Sequence, residues 1–117
     1  MLTLSLLASS LFIELPPGEY HYEKDFQAAG CKGQIEYKLP DRTRVDCLTD
    51  THAIEYDFAN KWPEAVGQSL WYAFQTNKKA GIVLIYKKPE DVRFYHKLMS
   101  VIAQNALKID VWVIDPS

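Results

Sequence analysis

The sequence predicts a single α/β domain, and three observations support this prediction. Short segments alternate between apolar and polar residues, as strands do, whereas longer segments have apolar residues at helical spacing. Gly81 to Tyr86 (GIVLIY) is a continuous apolar run, which is typical of a strand buried on both faces. The chain has 117 residues, 48% hydrophobic and 24% charged, enough for one domain with a modest core. The expected order is helix, three strands, helix, strand, helix, strand.

The first half of the chain is predicted to form a helix and three strands. Glu19 to Ala29 has aromatic residues at helical spacing, and Gly30 is expected to end this helix. Pro40 and Asp41 are typical of a tight turn. Because short links join the three alternating segments, they predict an antiparallel meander. These segments are Gln34 to Leu39, Arg44 to Leu48 and residues 52 to 58.

The second half is predicted to form two helices and two strands. Asn60 is the expected N-cap of a helix that carries Pro63 in its first turn, where the missing N–H of proline is harmless. The buried strand at Gly81 to Tyr86 follows, and Pro89 then opens a helix to about Ala106. Ile109 to Ile114 (IDVWVI) is the last predicted strand.

Residues 1 to 18 form an apolar N-terminal segment, and residues 19 to 117 form the predicted domain. The apolar segment is too short to span a bilayer and lacks the basic residues that begin a secretory signal. Ala8, Ser9 and Ser10 are nevertheless small residues of the kind that signal peptidase accepts. A signal peptide and an extension packed on the core both remain open, and so do an exported and a cytoplasmic location.

The oxidation state of the two cysteines, Cys31 and Cys47, depends on whether the protein is exported. In an oxidising compartment they could form a disulfide that joins the end of the first helix to the second strand. In the cytosol they would be reduced, partly buried thiols. No Cys-x-x-Cys or His-rich spacing indicates a zinc site.

Three acidic residues lie on two neighbouring strands. Glu55 and Asp57 share one face of the third strand, because side chains alternate along a strand. The same alternation places Asp46 on the opposite face of its strand from Val45 and Cys47. A hairpin pairing of the two strands would bring Asp46 beside Glu55. Clustered acids repel one another unless a cation or a proton lies between them.

The second helix has a polar stripe that begins close to these acids. Lys61, Gln68 and Tyr72 lie on this stripe, and the last two are neighbours one turn apart. A solvated face is the usual explanation of such a stripe, with Lys61 paired to Glu64. Because the stripe starts just beyond the third strand, Lys61 could instead reach back to the acids.

These motifs resemble those of the PD-(D/E)xK nuclease superfamily, in which an Asp on one strand and Glu-x-Lys on the next form a metal site. Asp46 matches the first position, and Glu55 in the IEYD segment matches the second. Residues 68 to 72 (QSLWY) resemble the QxxxY signature of the RecB-like branch. Asp57 departs from the pattern, because it stands where the family has its lysine. The role of that lysine would pass to Lys61.

The resemblance implies a three-layer αβββαβ, restriction-endonuclease-like core with a central mixed β-sheet. It also implies a metal-dependent nuclease that hydrolyses phosphodiester bonds in nucleic acid with bound Mg²⁺ or Mn²⁺. The expected metal ligands are Glu23 (through water), Asp46, Glu55 and Asp57, although Asp57 could instead be a partner of Lys61. The expected catalytic residues are Asp46, Glu55, Lys61, Gln68 and Tyr72.

The bulk charge supports an alternative function. The formal net charge is −2 and the pI is near 5.9, whereas strong nonspecific nucleic-acid binders carry a basic excess. Together with the missing lysine, this favours a catalytically inactive nuclease-fold domain, exported or not, that serves as a binding or interaction module. For an active nuclease, the expected partner is nucleic acid, DNA rather than RNA, without membrane insertion. A chain this small could form a homodimer to hold a duplex.

Overall fold

The computed structural model describes residues 11 to 116, which are built on one five-stranded sheet in the order β1-β2-β3-β4-β5. The first three strands form an antiparallel meander, whereas β3, β4 and β5 pair in parallel. The predicted α/β fold with a mixed sheet is confirmed. The strands are β1 (Gln34–Lys38), β2 (Arg44–Leu48), β3 (His52–Phe58), β4 (Lys79–Ile85) and β5 (Ile109–Ile114).

In the described part of the chain, three helices cover the two faces of the sheet, an arrangement compatible with a three-layer α/β core. Helix α1 (Glu23–Gly30) packs its Phe26 against one face, in a cluster that includes Tyr56 of β3. Helices α2 (Trp62–Thr76) and α3 (Val92–Gln104) cover the other face. Both are crossover connections between parallel strands, as parallel pairing requires. Short 3₁₀ turns, Ala59–Lys61 and Pro89–Asp91, precede them.

All three predicted helix starts differ from the structure. The third helix, predicted to open at Pro89, begins at Val92 after a 3₁₀ turn over Pro89–Asp91. The first helix begins at Glu23 and not at Glu19, because the Asp25 carboxylate accepts the backbone N–H groups of His21 and Tyr22, each at 2.9 Å. These bonds cap the helix at Tyr22, so the residues before Tyr22 are not helical. Asn60 is not the N-cap of the second helix. It lies within the 3₁₀ turn, so the regular helix starts two residues later.

The fourth strand is buried on both faces, as its apolar run predicts. From its second residue to its end, every residue is buried. Gly81 lies in its centre, and a Cβ at this position would come within 2.9 Å of the Trp112 ring and 3.1 Å of Ile54. The small residue therefore lets the neighbouring side chains of β3 and β5 close over the strand.

The N-terminal segment lies only partly within the described residues. Ala8, Ser9 and Ser10, on which the signal-peptide interpretation depends, fall outside them. Residues 11 to 13 run beside β5, where the Ile13 N–H donates to the Val113 carbonyl at 2.8 Å and the Val113 N–H donates to the Leu11 carbonyl at 2.9 Å. This part of the apolar segment thus extends the sheet. Among residues 11 to 116, no helix has the length and apolar character needed to cross a bilayer.

A disulfide between Cys31 and Cys47 joins the residue after α1 to the middle of β2, with the two Cα atoms 5.7 Å apart. Its sequence separation is 16 residues. Cys47 is completely buried and packs with Phe26 of α1. The link therefore ties the helix of one layer to the central sheet. Such bonds persist in oxidising compartments.

Reduction of this disulfide is expected to lower the free energy of unfolding by about 3 kcal/mol, because a closed loop of roughly 15 residues restricts the unfolded chain by that amount. Urea denaturation with and without dithiothreitol measures the change. The double variant Cys31→Ala/Cys47→Ala serves as the control, since dithiothreitol should leave its midpoint unchanged. An identical midpoint for oxidised and reduced wild type would contradict the prediction.

Candidate active site

Strands β2 and β3 pair along only part of their length. Their ladder consists of Cys47 opposite Ile54 and Leu48 opposite Ala53. Beyond these pairs, backbone N–H groups of β3 donate to carboxylates. The Tyr56 N–H donates to Asp46 Oδ2 at 2.9 Å, and the Phe58 N–H donates to Glu23 Oε2 at 3.1 Å. The strands therefore diverge at a gap that acidic side chains fill.

Four acidic residues meet at this gap: Glu23 of α1, Asp46 of β2, and Glu55 and Asp57 of β3. We call these four residues the acid cluster. The Asp46 N–H donates to Glu55 Oε1 at 3.4 Å, and the charge of Asp46 raises the pKa of Glu55. The charge of Glu23 likewise raises the pKa of Asp57. The structure thus brings together all four of the acids that the sequence singled out.

Glu55 and Asp57 are buried, with exposed fractions of only 5% and 7%. Asp57 Oδ2 has no hydrogen-bond partner. A buried polar oxygen without a partner costs roughly 1–3 kcal/mol, and more when it is charged. The Asp57 carboxyl group therefore has an unsatisfied requirement for a proton or a cation.

Burial raises the pKa of three carboxyl groups in the acid cluster. The pKa of Asp46 rises to about 6, that of Glu55 to about 9 and that of Asp57 to about 8. Negative neighbours raise these pKa values further: Asp46 acts on Glu55, and Glu23 acts on Asp57. Some of these groups therefore hold protons at neutral pH unless a cation replaces them.

Lys61, at the end of the 3₁₀ turn before α2, reaches back to the acid cluster. Its Nζ lies 3.6 Å from Glu23 Oε2, and its charge opposes the rise in the pKa of Asp57. The ion pair in the structure thus joins Lys61 to Glu23 and not to Glu64. Lys61 and Glu23 also line a surface pocket of about 450 Å³ with Tyr22, Lys24 and Phe58. This pocket opens the edge of the acid cluster to solvent.

The two other predicted site residues of α2, Tyr72 and Gln68, differ in whether they face the acid cluster. Tyr72 is buried, and burial, followed by the nearby charge of Glu55, raises the pKa of its hydroxyl group. Tyr72 thus lies against the acid cluster. Gln68 is exposed, and among the described residues no hydrogen bond joins its side chain to the acids.

Two residues that the sequence did not single out, Gln27 and Glu36, also lie at the gap. Gln27 is only 5% exposed, and its Nε2 donates to Glu36 Oε2 at 3.2 Å. The charge of Glu36 contributes to the raised pKa of Asp46. Glu36 has a φ of 54°, a left-handed conformation that is unusual within a strand. Gln27 could have been found from the sequence, because it follows Glu23 by four residues and so lies on the same face of α1. Nothing in the sequence indicated the backbone distortion at Glu36.

The acid cluster has the chemistry of a divalent-cation site but not yet its geometry. Carboxylate oxygens are the ligands that Mg²⁺ and Mn²⁺ prefer. The unpartnered buried oxygen of Asp57 also fits a cation. Among residues 11 to 116, however, no three His, Cys, Asp or Glu side chains enclose a common metal position. Binding therefore requires the carboxyl groups to turn toward a common ion.

Comparison of the chain with models of protein families, with curated proteins and with solved structures finds no match. The resemblance to the PD-(D/E)xK superfamily therefore stays a prediction from the motifs. The geometry of the acid cluster is the basis on which a function can be argued.

The raised pKa values predict that, without divalent cations, the protein becomes less stable as the pH rises from 5 to 9. The folded state binds protons on Glu55 and Asp57 in this range, whereas the unfolded chain, with ordinary values of 4.5 and 3.8, has released them. The stabilisation is fully present below the unfolded pKa and is lost as the pH rises through the folded pKa. The slope per group cannot exceed about 1.4 kcal/mol per pH unit.

Urea denaturation at pH 5, 7 and 9 in EDTA measures this slope. Asp57→Asn should flatten it, because the amide stays neutral at every pH. Asp50→Asn, an exposed position in the turn before β3, is the control and should leave the slope unchanged. A stability that rises steadily to pH 9 would contradict the prediction.

Proposed function

We propose that this domain is a metal-dependent nuclease that hydrolyses phosphodiester bonds in nucleic acid. The observation that supports the proposal best is the convergence of the acid cluster with Lys61 at the point where β2 and β3 diverge. Buried acids without a cation are costly to a fold, and strongly perturbed pKa values in a cleft are typical of functional sites. The motif resemblance, reached from the sequence independently, names the same residues.

The proposed ligands of Mg²⁺ or Mn²⁺ are Asp46 and Glu55, with Asp57 as a further ligand and Glu23 acting through water. Mg²⁺ commonly binds one or two carboxylates and completes its coordination with water and substrate phosphate. When bound, the ion supplies a nucleophilic water at neutral pH and stabilises negative charge on the phosphate. Because three of these carboxyl groups hold protons more tightly than usual, ion binding should release protons and strengthen as the pH rises.

Lys61 and Tyr72 approach the acid cluster from α2 and have different proposed roles. The Lys61 ammonium group lies at the solvent-exposed edge, where it can stabilise charge that develops on a phosphate. Its partner Glu23 holds it there. Tyr72 is buried near Glu55, where it can hold the buried side of the cluster in place. Gln68, which is exposed, can contact only a substrate that lies along α2.

The alternative is an inactive nuclease-fold domain that serves as an interaction module. The feature that favours it is Asp57, which stands in place of the family's lysine and adds a fourth acid to the site. In that case the carboxyl groups would remain protonated and structural. A measurement of metal binding distinguishes the nuclease from the interaction module. Homodimerisation stays a prediction for both functions.

Calorimetric titration with Mn²⁺ at pH 7.5 is expected to show one binding event that Glu55→Gln abolishes, because the amide supplies no charge to the ion. Asp57→Asn should weaken binding at least tenfold while stabilising the metal-free protein at high pH. Glu64→Gln, an exposed acid in the first turn of α2, is the matched control. Absence of Mn²⁺ binding by the wild type, even with oligonucleotide present, would favour the interaction module.

Lys61→Met is expected to lower the rate of oligonucleotide cleavage about 100-fold with little change in Mn²⁺ affinity, because preorganised charges of this kind act on the transition state. Single-turnover cleavage assays measure the rate. Lys24→Met is the control, since Lys24 lines the same pocket but has its ammonium group 5.9 Å from the Tyr22 ring centroid. Equal rates for the two variants would exclude a catalytic role for Lys61.

A further inference from the structure

An exposed aromatic pair, Trp71 and Phe74, lies on the solvent side of α2 and flanks Tyr72, the helix residue near Glu55. Trp71 is 48% exposed and Phe74 is 77% exposed. Their rings stack with centroids 5.8 Å apart and planes inclined by 24°. Burial in this chain does not explain the pair, because both rings offer a face to solvent. Exposed aromatic surface of this size is typical of a binding site.

Hydrogen bonds hold the Trp71 ring in place. Its Nε1 donates to Asp41 Oδ2 at 3.1 Å, and Gln75 Nε2 donates to the same oxygen at 2.9 Å. The hydroxyl group of Thr43 also donates to Asp41, and these bonds lower the pKa of that carboxyl group. The turn between β1 and β2 therefore orients the indole ring before any ligand arrives. A ring fixed in this way loses little entropy on binding.

Positive charge lies beside Phe74, one member of the aromatic pair. Phe74 forms one wall of a groove of about 940 Å³ at the edge of the sheet where β3, β4 and β5 begin. Lys78, Lys79 and Lys108 line this groove. Asp50 and Asp110 also line it, but Asp110 is bound to His52 at 2.7 Å. Lysines beside stacked aromatic rings match the phosphates and the bases of a nucleic acid strand.

We infer that the Trp71–Phe74 pair and the adjacent lysines bind single-stranded nucleic acid and lead it to the acid cluster. This inference rests on the proposed function for its choice of ligand. Only unpaired bases can stack on the rings, so the surface selects single strands over duplex. Net charge does not oppose this. The acid cluster and Glu36 account for five of the chain's 15 acidic residues, and their partners Lys61 and Arg44 for two of its 13 Lys and Arg, which leaves ten acidic and 11 basic residues elsewhere.

The spacing along α2 agrees with one continuous strand. Lys61 precedes Phe74 by 13 residues, which corresponds to about 20 Å at 1.5 Å per residue. A stacked strand rises about 3.4 Å per nucleotide, so roughly six nucleotides would cover this distance. Exposed Gln68 lies between the two ends, where it would face the bound strand. A probe of 12 thymidines is therefore long enough to occupy both places.

The test is fluorescence anisotropy with labelled dT12 in EDTA, which prevents cleavage. Wild type should bind dT12 more tightly than a 12-base-pair duplex. Trp71→Ala and Phe74→Ala should each weaken dT12 binding about 5- to 150-fold, the range that one stacked base provides. Trp71→Phe, which keeps a ring, should retain most of the affinity. Val92→Ala, an exposed apolar position on α3, is the control.

Equal affinity of wild type and both alanine variants for dT12, or a preference for duplex, would overturn the inference. So would sedimentation showing that Phe74→Ala converts a wild-type dimer to monomer, because the surface would then be a contact with a second copy. The proposed cleavage activity and the proposed binding surface can be refuted independently. If the alanine variants lose dT12 binding but the wild type does not cleave, the binding surface is supported and the nuclease is refuted. If the wild type cleaves but the alanine variants bind dT12 as it does, the nuclease is supported and the binding surface is refuted.

Discussion

The divergence of β2 from β3 is the constraint on which the candidate site depends. Where the ladder stops, the N–H groups of Tyr56 and Phe58 lose the strand partners that regular pairing would give them. Unpaired buried donors cost about 1–3 kcal/mol each. Asp46 and Glu23 accept these bonds, so the same carboxylates complete the backbone of β3 and form the acid cluster. The acids are consequently both structural and, by our proposal, catalytic.

Two connections hold the gap in its present form. On one face, the Cys31–Cys47 disulfide ties the end of α1 to β2, while Glu23 at the start of α1 binds β3. On the other face, α2 places Tyr72 beside Glu55. The acids thus lie between elements that cannot move independently. This support would let the carboxyl groups turn toward an ion while the gap between β2 and β3 stays open.

The balance of charge at the gap explains why Asp57 is compatible with the fold. A fourth acid in the site increases repulsion, and this repulsion is relieved by the raised pKa values of Glu55 and Asp57 and by the charge of Lys61. A divalent ion would meet the same requirement more completely. The electrostatics of the fold and the proposed chemistry therefore have one cause, the burial of carboxyl groups in a gap of the sheet.

The sequence by itself determined the order of the elements and the shared face of Glu55 and Asp57, because strand alternation and helical spacing are local properties. It also placed Asp46 beside Glu55, since a short turn limits how two strands can pair. Only the tertiary structure decided that Glu23 caps β3, that Gln27 and Glu36 border the gap, and that Trp71 is held by Asp41. These contacts join segments distant along the chain, and the packing of α1 and α2 on opposite faces of the sheet decides them.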